Sequence, residues 1–277
     1  MSSAAPLYSI LMRRRAFVGL CPVLIAKMEA QFRKRRVLAL GDTSTRTYQH
    51  AAITHALATI ERLGRQTGLY DTWIRTDTQL LTKRSSLHRN LTDFDAIFFY
   101  SIGELPMTDD QKADLLSFVR DDGKGFVAAH TGSNAFYSWS EFGEMVGGRF
   151  DDHPWELFDA PVEVEDPAFP AMKAFPANFT INDEIYQVKD FSRDRVRVLA
   201  RLVPDQLDLG TKRVHRSDQD FPVAWARSYG NGRVFYSTFG HRPELWDRPD
   251  IQTMYLEALK WSMGMTEADV TPRPSPR

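Results

Sequence analysis

Apolar positions in the first half of the chain switch between two spacings. Arg36-Val37-Leu38-Ala39-Leu40-Gly41 is a short unbroken apolar run ended by glycine, the pattern of a strand buried on both faces. Ile53, Leu57, Ile60 and Leu63 follow at helical spacing, and Gly64 is expected to end or weaken that helix. Residues 70–76 and the aromatic run 94–100 read as the next two strands. Thr108-Asp109-Asp110-Gln111 then forms a capping box, with two carboxylates at the positive end of the helix it starts. That helix carries Leu115, Leu116, Phe118 and Val119 and stops near Asp122-Gly123. Phe126-Val127-Ala128-Ala129 is the fourth strand, and it delivers His130 to its tip.

The second half is richer in strands. Residues 161–165 and 196–203 alternate, and residues 179–188 are strand-like. Residues 222–227 and 233–238 flank Tyr229-Gly230-Asn231-Gly232, a strong hairpin signal. A last helix over about 251–263 presents Met254, Leu256, Leu259 and Trp261. Strand–helix alternation followed by strands predicts an α/β, flavodoxin-like three-layer fold, with a mainly parallel sheet and an antiparallel hairpin extension. The expected domain spans residues 36–264. Residues 1–35 read as a disordered or targeting leader, and residues 265–277, ending Thr271-Pro272-Arg273-Pro274-Ser275-Pro276-Arg277, as a disordered proline-rich tail.

Composition narrows the chemistry. Hydrophobic residues make up 43% of the 277 and aromatics 12%, enough for a packed core. The formal net charge of -1 gives no basic face for nucleic acid. The single cysteine, Cys21, precedes the domain, which rules out an intramolecular disulfide, a cysteine-rich zinc site and a cysteine nucleophile inside it. Arg13-Arg14-Arg15-Ala16-Phe17-Val18 resembles the start of a twin-arginine export leader, but the apolar stretch is short and Lys27 closes it. The stretch is too short to cross a bilayer. A start at Met28, or a plain disordered leader, is the favoured expectation and goes with a cytoplasmic protein; export is the alternative. Self-association into a homo-oligomer is left open.

The candidate chemistry lies in histidines placed just after strand patterns or at helix starts. They are His130, His153 in Phe150-Asp151-Asp152-His153-Pro154-Trp155, His241 in Phe239-Gly240-His241, and His50 before the first helix. One such histidine is more often structural than functional; repetition at the carboxyl ends of strands, where open α/β sheets bind ligands, points to one pocket. Asp183-Glu184 puts adjacent carboxylates on opposite faces of a strand, so one can face a pocket while the other is capped or solvated. Trp139 and Trp155 offer flat faces for a sugar ring and, with His50 and Tyr186, make up the expected substrate-binding set. Glycine fingerprints for phosphate and a His-Glu-x-x-His helix are both missing.

These residues carry a family resemblance over about 36–264. The chain resembles the trehalose-utilisation (ThuA-like) family, of the class I glutamine-amidotransferase-like superfamily. The matching motifs are His50, Gly123-Lys124-Gly125-Phe126-Val127-Ala128-Ala129-His130 and Gly147-Gly148-Arg149-Phe150-Asp151-Asp152-His153-Pro154. Asp183-Glu184-Ile185-Tyr186, Pro222-Val223-Ala224-Trp225 and Tyr229-Gly230-Asn231-Gly232-Arg233-Val234-Phe235-Tyr236 leading to Gly240-His241 complete them. The resemblance implies disaccharide and keto-sugar catabolism. Amidotransferases of the superfamily carry a cysteine on the turn after the fourth strand. Here His130-Thr131-Gly132 stands in its place, and Thr131 could replace the cysteine only with an aligned base.

The expected function is an enzyme acting on a disaccharide or keto-sugar derivative, and not a cysteine-dependent glutamine amidotransferase. His130, His153 and His241, with Glu184 and Asp183, are the catalytic candidates; the same three histidines are candidate ligands for a divalent metal such as zinc. The carboxylates would orient a histidine, complete a metal shell or take a proton beside a carbonyl. The alternatives are a non-catalytic carbohydrate-binding domain and a metal-dependent hydrolase of another substrate class.

Overall fold

In the computed structural model, residues 34–43, 48–84 and 89–274 are described. Cys21, Met28 and the arginine run of the leader lie outside them. The strand β1 (Arg35–Leu40) shows why the opening run is apolar throughout. Val37 and Ala39 belong to one hydrophobic cluster with Ile53 and Ile60, whereas Leu38 and Leu40 belong to another with Leu115 and Phe118. A strand between two helical layers buries both faces, so its period of two is hidden under continuous hydrophobicity.

The helix α1 (Ala52–Thr67) does not end at Gly64 as the sequence suggests. It runs on to Gly68, a left-handed cap with φ of 69° whose N–H bonds Gly64 O. Gly64 has a packing role instead: a Cβ there would lie 2.4 Å from the ring of Tyr70. Tyr70 opens β2 (Tyr70–Arg75), and β3 (Ala96–Phe99) follows. The capping box forms at α2 (Asp109–Arg120), where the Thr108 hydroxyl accepts from Gln111 N and Gln111 Oε1 accepts from Thr108 N. Then come β4 (Gly125–Ala129) and two elements the sequence reading missed, α3 (Ser140–Val146) and β5 (Arg149–Asp152).

The second half supplies β6 (Leu157–Val164), β7 (Asn178–Glu184), β8 (Gln187–Lys189), β9 (Arg197–Leu202), β10 (Pro222–Tyr229), β11 (Gly232–Ser237) and α4 (Pro249–Ser262). The single strand expected over 179–188 is two. The chain leaves the sheet after Glu184, where Tyr186 N donates to the side chain of Thr238 at 2.9 Å. β8 then pairs with β5 in a separate two-stranded ribbon.

The main sheet has nine strands in the order β2-β1-β3-β4-β11-β10-β9-β6-β7. The pairings from β2 through β11 are parallel and those from β11 to β7 antiparallel. The parallel part is flavodoxin-like, and its order reverses between β1 and β3, the switch point where such sheets open a ligand crevice. Four antiparallel steps return β7 to the direction of β11. The carboxyl end of β7, bearing Asp183-Glu184, therefore shares an edge with the ends of β4 and β11.

The expected tail is partly bound. Arg197, within the core, donates to Thr271 O at 3.0 Å, and Arg233 donates to Trp261 O and Thr266 O, both at 3.0 Å. Met265, Ala268 and Val270 pack against the larger core cluster. The segment after α4 is thus held to the fold as far as Thr271.

Candidate functional site

β4 ends at a strained turn. His130, the residue after it, has φ of 44° in a region L side chains rarely occupy, and it opens a short 3₁₀ helix over His130–Ser133. Gly132 allows the turn to close, since a Cβ there would sit 2.9 Å from the Ala128 methyl. The side chain of His130 is fully buried. Its Nδ1 lies 2.7 Å from Thr238 O, and a carbonyl can only accept, so Nδ1 carries the proton and Nε2 a free lone pair. Tyr236 Oη donates to His130 O at 2.8 Å, which fixes the backbone of the same turn.

Three other side chains meet that lone pair. His241 Nδ1 lies 3.2 Å from His130 Nε2. Glu184 Oε1 lies 3.6 Å from His130 Nε2 and 3.4 Å from His241 Nδ1. The His50 ring stands edge-on to both imidazoles, with centroids 4.9 Å from each. Glu184 Oε2 turns the other way, 3.6 Å from His153 Nδ1, which also meets Glu156 Oε2 at 3.1 Å. The convergence joins the loop after β1, the ends of β4, β7 and β11, and the loop after β5.

The environment separates the histidines electrically. Burial, reinforced by the neighbouring His130 and His241, drops His50 to about 3. Burial also lowers His130, although Glu184 opposes it. At His241 burial pulls down, but the hydrogen bond and charge of Glu184 win and the imidazole is raised. Burial would raise Glu184, yet the imidazoles of His130 and His241 beside it hold it well below the usual carboxylate range.

These groups border a cavity of about 650 Å³, within the range of small-molecule sites. Tyr48, His50, His153, Glu184, Tyr186 and His241 face it, and His130 lies behind them. Tyr186 covers His130 with ring centroids 4.2 Å apart.

Three of the candidate residues lie elsewhere. Asp183 is fully buried; its Oδ2 accepts the Gly240 N–H at 2.8 Å, and burial pushes its carboxyl up to about 7. It anchors the loop carrying His241, because Glu184 takes the cavity face of the strand and Asp183 the interior. Trp139 packs with Phe136 and Phe142 in the core. Trp155 packs on Phe158 and Phe221, and its Nε1 donates to Asp208 O at 3.0 Å. Neither indole borders this cavity: Trp139 is buried in the core, and the half-buried Trp155 lines a separate pocket with Pro154, Phe158 and Leu207. Thr131 is buried and its Oγ1 has no hydrogen-bond partner, so no base is aligned to make it a nucleophile.

The sequence reading missed Thr238, Glu156, Arg213 and Tyr48. Thr238 acts through a carbonyl, which no side-chain pattern reveals. Arg213 reaches Asp152, Glu156 and His153 Nδ1, the last at 3.3 Å, from about 60 residues away. Tyr48 was within sight, two residues before His50, and its ring stands 4.8 Å from the imidazole.

A family model described as trehalose utilisation, ThuA, matches residues 36–262. Among solved structures, a ThuA-like protein from Bacteroides uniformis superposes with a TM-score of 0.66 at 24% identity, covering 83% of this chain and 91% of that one. A ThuA-like protein from Parabacteroides merdae superposes at 0.65 with 15% identity, over 87% and 98% of the two chains. A protein from Salmonella typhimurium described as cytoplasmic gives 0.52 at 13% identity, over 81% and 97%. No protein with a curated description matches the sequence. Among the described residues no helix is long and apolar enough to cross a membrane.

Proposed function

The chain belongs to the trehalose-utilisation (ThuA) family, and from that premise we propose that it is an enzyme acting on a disaccharide or keto-sugar derivative held in the cavity at the carboxyl ends of the sheet. The observation that carries this reading is the meeting of four histidines and Glu184 at one cavity, drawn from five separate segments. A hydrogen-bonded core has no need of so many imidazoles with so few good hydrogen bonds among them. The cavity has the volume for a sugar of one or two rings, and its lining mixes imidazoles and the carboxylates of Glu156 and Glu184 with Phe150, Tyr186 and Ile102.

The roles follow from position. His153 and Glu184 touch across the cavity wall, and they form the acid–base pair that moves a proton at a hydroxyl or at the carbon beside a keto group. His50 and His241 face the oxygens that such a proton transfer leaves with negative charge. A pure sugar-binding module is less well supported, because Trp139 and Trp155 do not reach the cavity.

The test is a panel of disaccharides and their keto derivatives incubated with the purified protein in deuterated water. Product formation, or exchange of the proton beside the carbonyl, is followed by proton NMR. Turnover that falls about 10²–10⁴-fold in Glu184→Gln and His153→Ala is the expected result. Binding without turnover, unchanged by either substitution, would establish a sugar-binding module instead.

A further inference from the structure

We propose that His130, His241 and Glu184 form a seat for one zinc-like divalent cation, with His50 as the fourth member of the set. This deepens the reading above by naming the group at the centre of the site, and metal binding can be measured without any turnover.

The separations carry the argument. His130 Nε2, His241 Nδ1 and Glu184 Oε1 lie 3.2, 3.4 and 3.6 Å from one another. The last two exceed the 2.7–3.2 Å of a well-formed N–H···O bond. They fit the edges of a tetrahedron around an ion with bonds of about 2.0–2.2 Å, whose ligands stand roughly 3.3–3.6 Å apart. The ligating atom of His50 falls within 4.8 Å of the other three.

Two further features point the same way. The Nδ1–H of His130 is committed to Thr238 O, so Nε2 must face the group as a lone pair. That is the outer-sphere arrangement by which metal-binding histidines are oriented. His50 Nδ1 is buried and has no hydrogen-bond partner, a cost that a nearby ligand would relieve. Imidazole with one carboxylate suits zinc better than magnesium or calcium, which prefer all-oxygen shells.

A second triad, His153, Glu156 and Glu184, also brings three ligand atoms together. It is the weaker seat. Arg213 already pairs with Glu156 and reaches His153 Nδ1, so a positive group occupies that side. Glu156 is also 62% exposed, where water competes. The assignment therefore drops His153 from the metal ligands expected from sequence and adds Glu184 and His50.

The experiment uses the full chain, stripped with a chelator and checked for an unchanged melting transition. Zinc is titrated against a chromophoric chelator, and cobalt(II) is added separately to read its visible spectrum. The expected result is one ion per chain and an intense cobalt band of tetrahedral type. His241→Ala and Glu184→Gln should each weaken zinc at least 100-fold, and His153→Ala less than 3-fold. Should a ligand variant fail to fold, the cobalt spectrum of the intact protein still decides, since octahedral bands exclude this ligand set. No stoichiometric binding, or binding lost in His153→Ala but kept in His241→Ala, would overturn the proposal. Metal binding without activity on any sugar would leave this seat standing and count against the substrate assignment alone.

Discussion

The Nδ1–H of His130 donates to the carbonyl of Thr238 at 2.7 Å across the ends of neighbouring parallel strands. That bond fixes the tautomer of a fully buried imidazole and aims its other nitrogen at Glu184 and His241. A backbone carbonyl thus determines the chemistry of a side chain 108 residues away.

His130 should discriminate between replacements by backbone as well as by chemistry. At φ of 44°, asparagine is tolerated and a β-branched residue is not. Both His130→Asn and His130→Val should abolish site function. His130→Val should also be less stable than His130→Asn by about 1–2 kcal/mol in urea unfolding. Equal stabilities would mean that the turn relaxes without cost.

Asp183 is expected to act as an anchor. Asp183→Ala leaves the Gly240 N–H buried without an acceptor and should cost about 1–3 kcal/mol. Asp183→Asn keeps an oxygen for that N–H and should retain most of the stability and activity. A large loss of activity in Asp183→Asn at wild-type stability would instead place the carboxylate in the chemistry.

Arg193 should matter for the fold and not for the site. Its guanidinium bonds both oxygens of Glu165 and both of Asp220 at 2.7–2.8 Å, with all three side chains largely buried. Arg193→Ala leaves Glu165 to Arg201 and Asp220 to the more distant Arg216, and the lost charged hydrogen bonds should cost about 1.5–3 kcal/mol in chemical denaturation. Zinc affinity per folded molecule should stay at the wild-type value; a parallel loss would show that this clamp also sets the geometry of the cluster.

Removing the chain after Gly264 tests whether the terminal segment belongs to the fold. Arg197 would lose Thr271 O, and Arg233 would lose Thr266 O and Glu267. A stability loss of about 1.5–3 kcal/mol is expected from charged hydrogen bonds alone. An unchanged unfolding midpoint would return the segment to the status of a free tail.

Trp155→Phe and Trp139→Phe should leave the affinity for any cavity ligand unchanged, because both indoles pack away from it. Isothermal titration with that ligand checks this, and a several-fold loss for either variant would bring the indole back to the binding surface.

The sequence by itself determined the alternation of strands and helices, the capping box at Thr108, the hairpin at Gly230-Asn231 and the position of His130 at a strand end. These features are local: each arises from side-chain periodicity, capping or turn chemistry within a few residues. It could nominate histidines but not sort them. Tertiary structure decided that Glu184 faces the cavity while Asp183 is walled in, because only the closed fold fixes which of the two opposite faces of β7 meets the cavity and which meets Gly240 in the loop after β11. It also assigned Trp139 and Trp155 to packing, since aromatic surface is claimed by whichever apolar neighbour covers it first. The 3.2–3.6 Å spacing of the cluster arises where three distant segments, following β4, ending β7 and following β11, meet at one sheet edge. No local pattern encodes a distance between such segments; only the closed fold does.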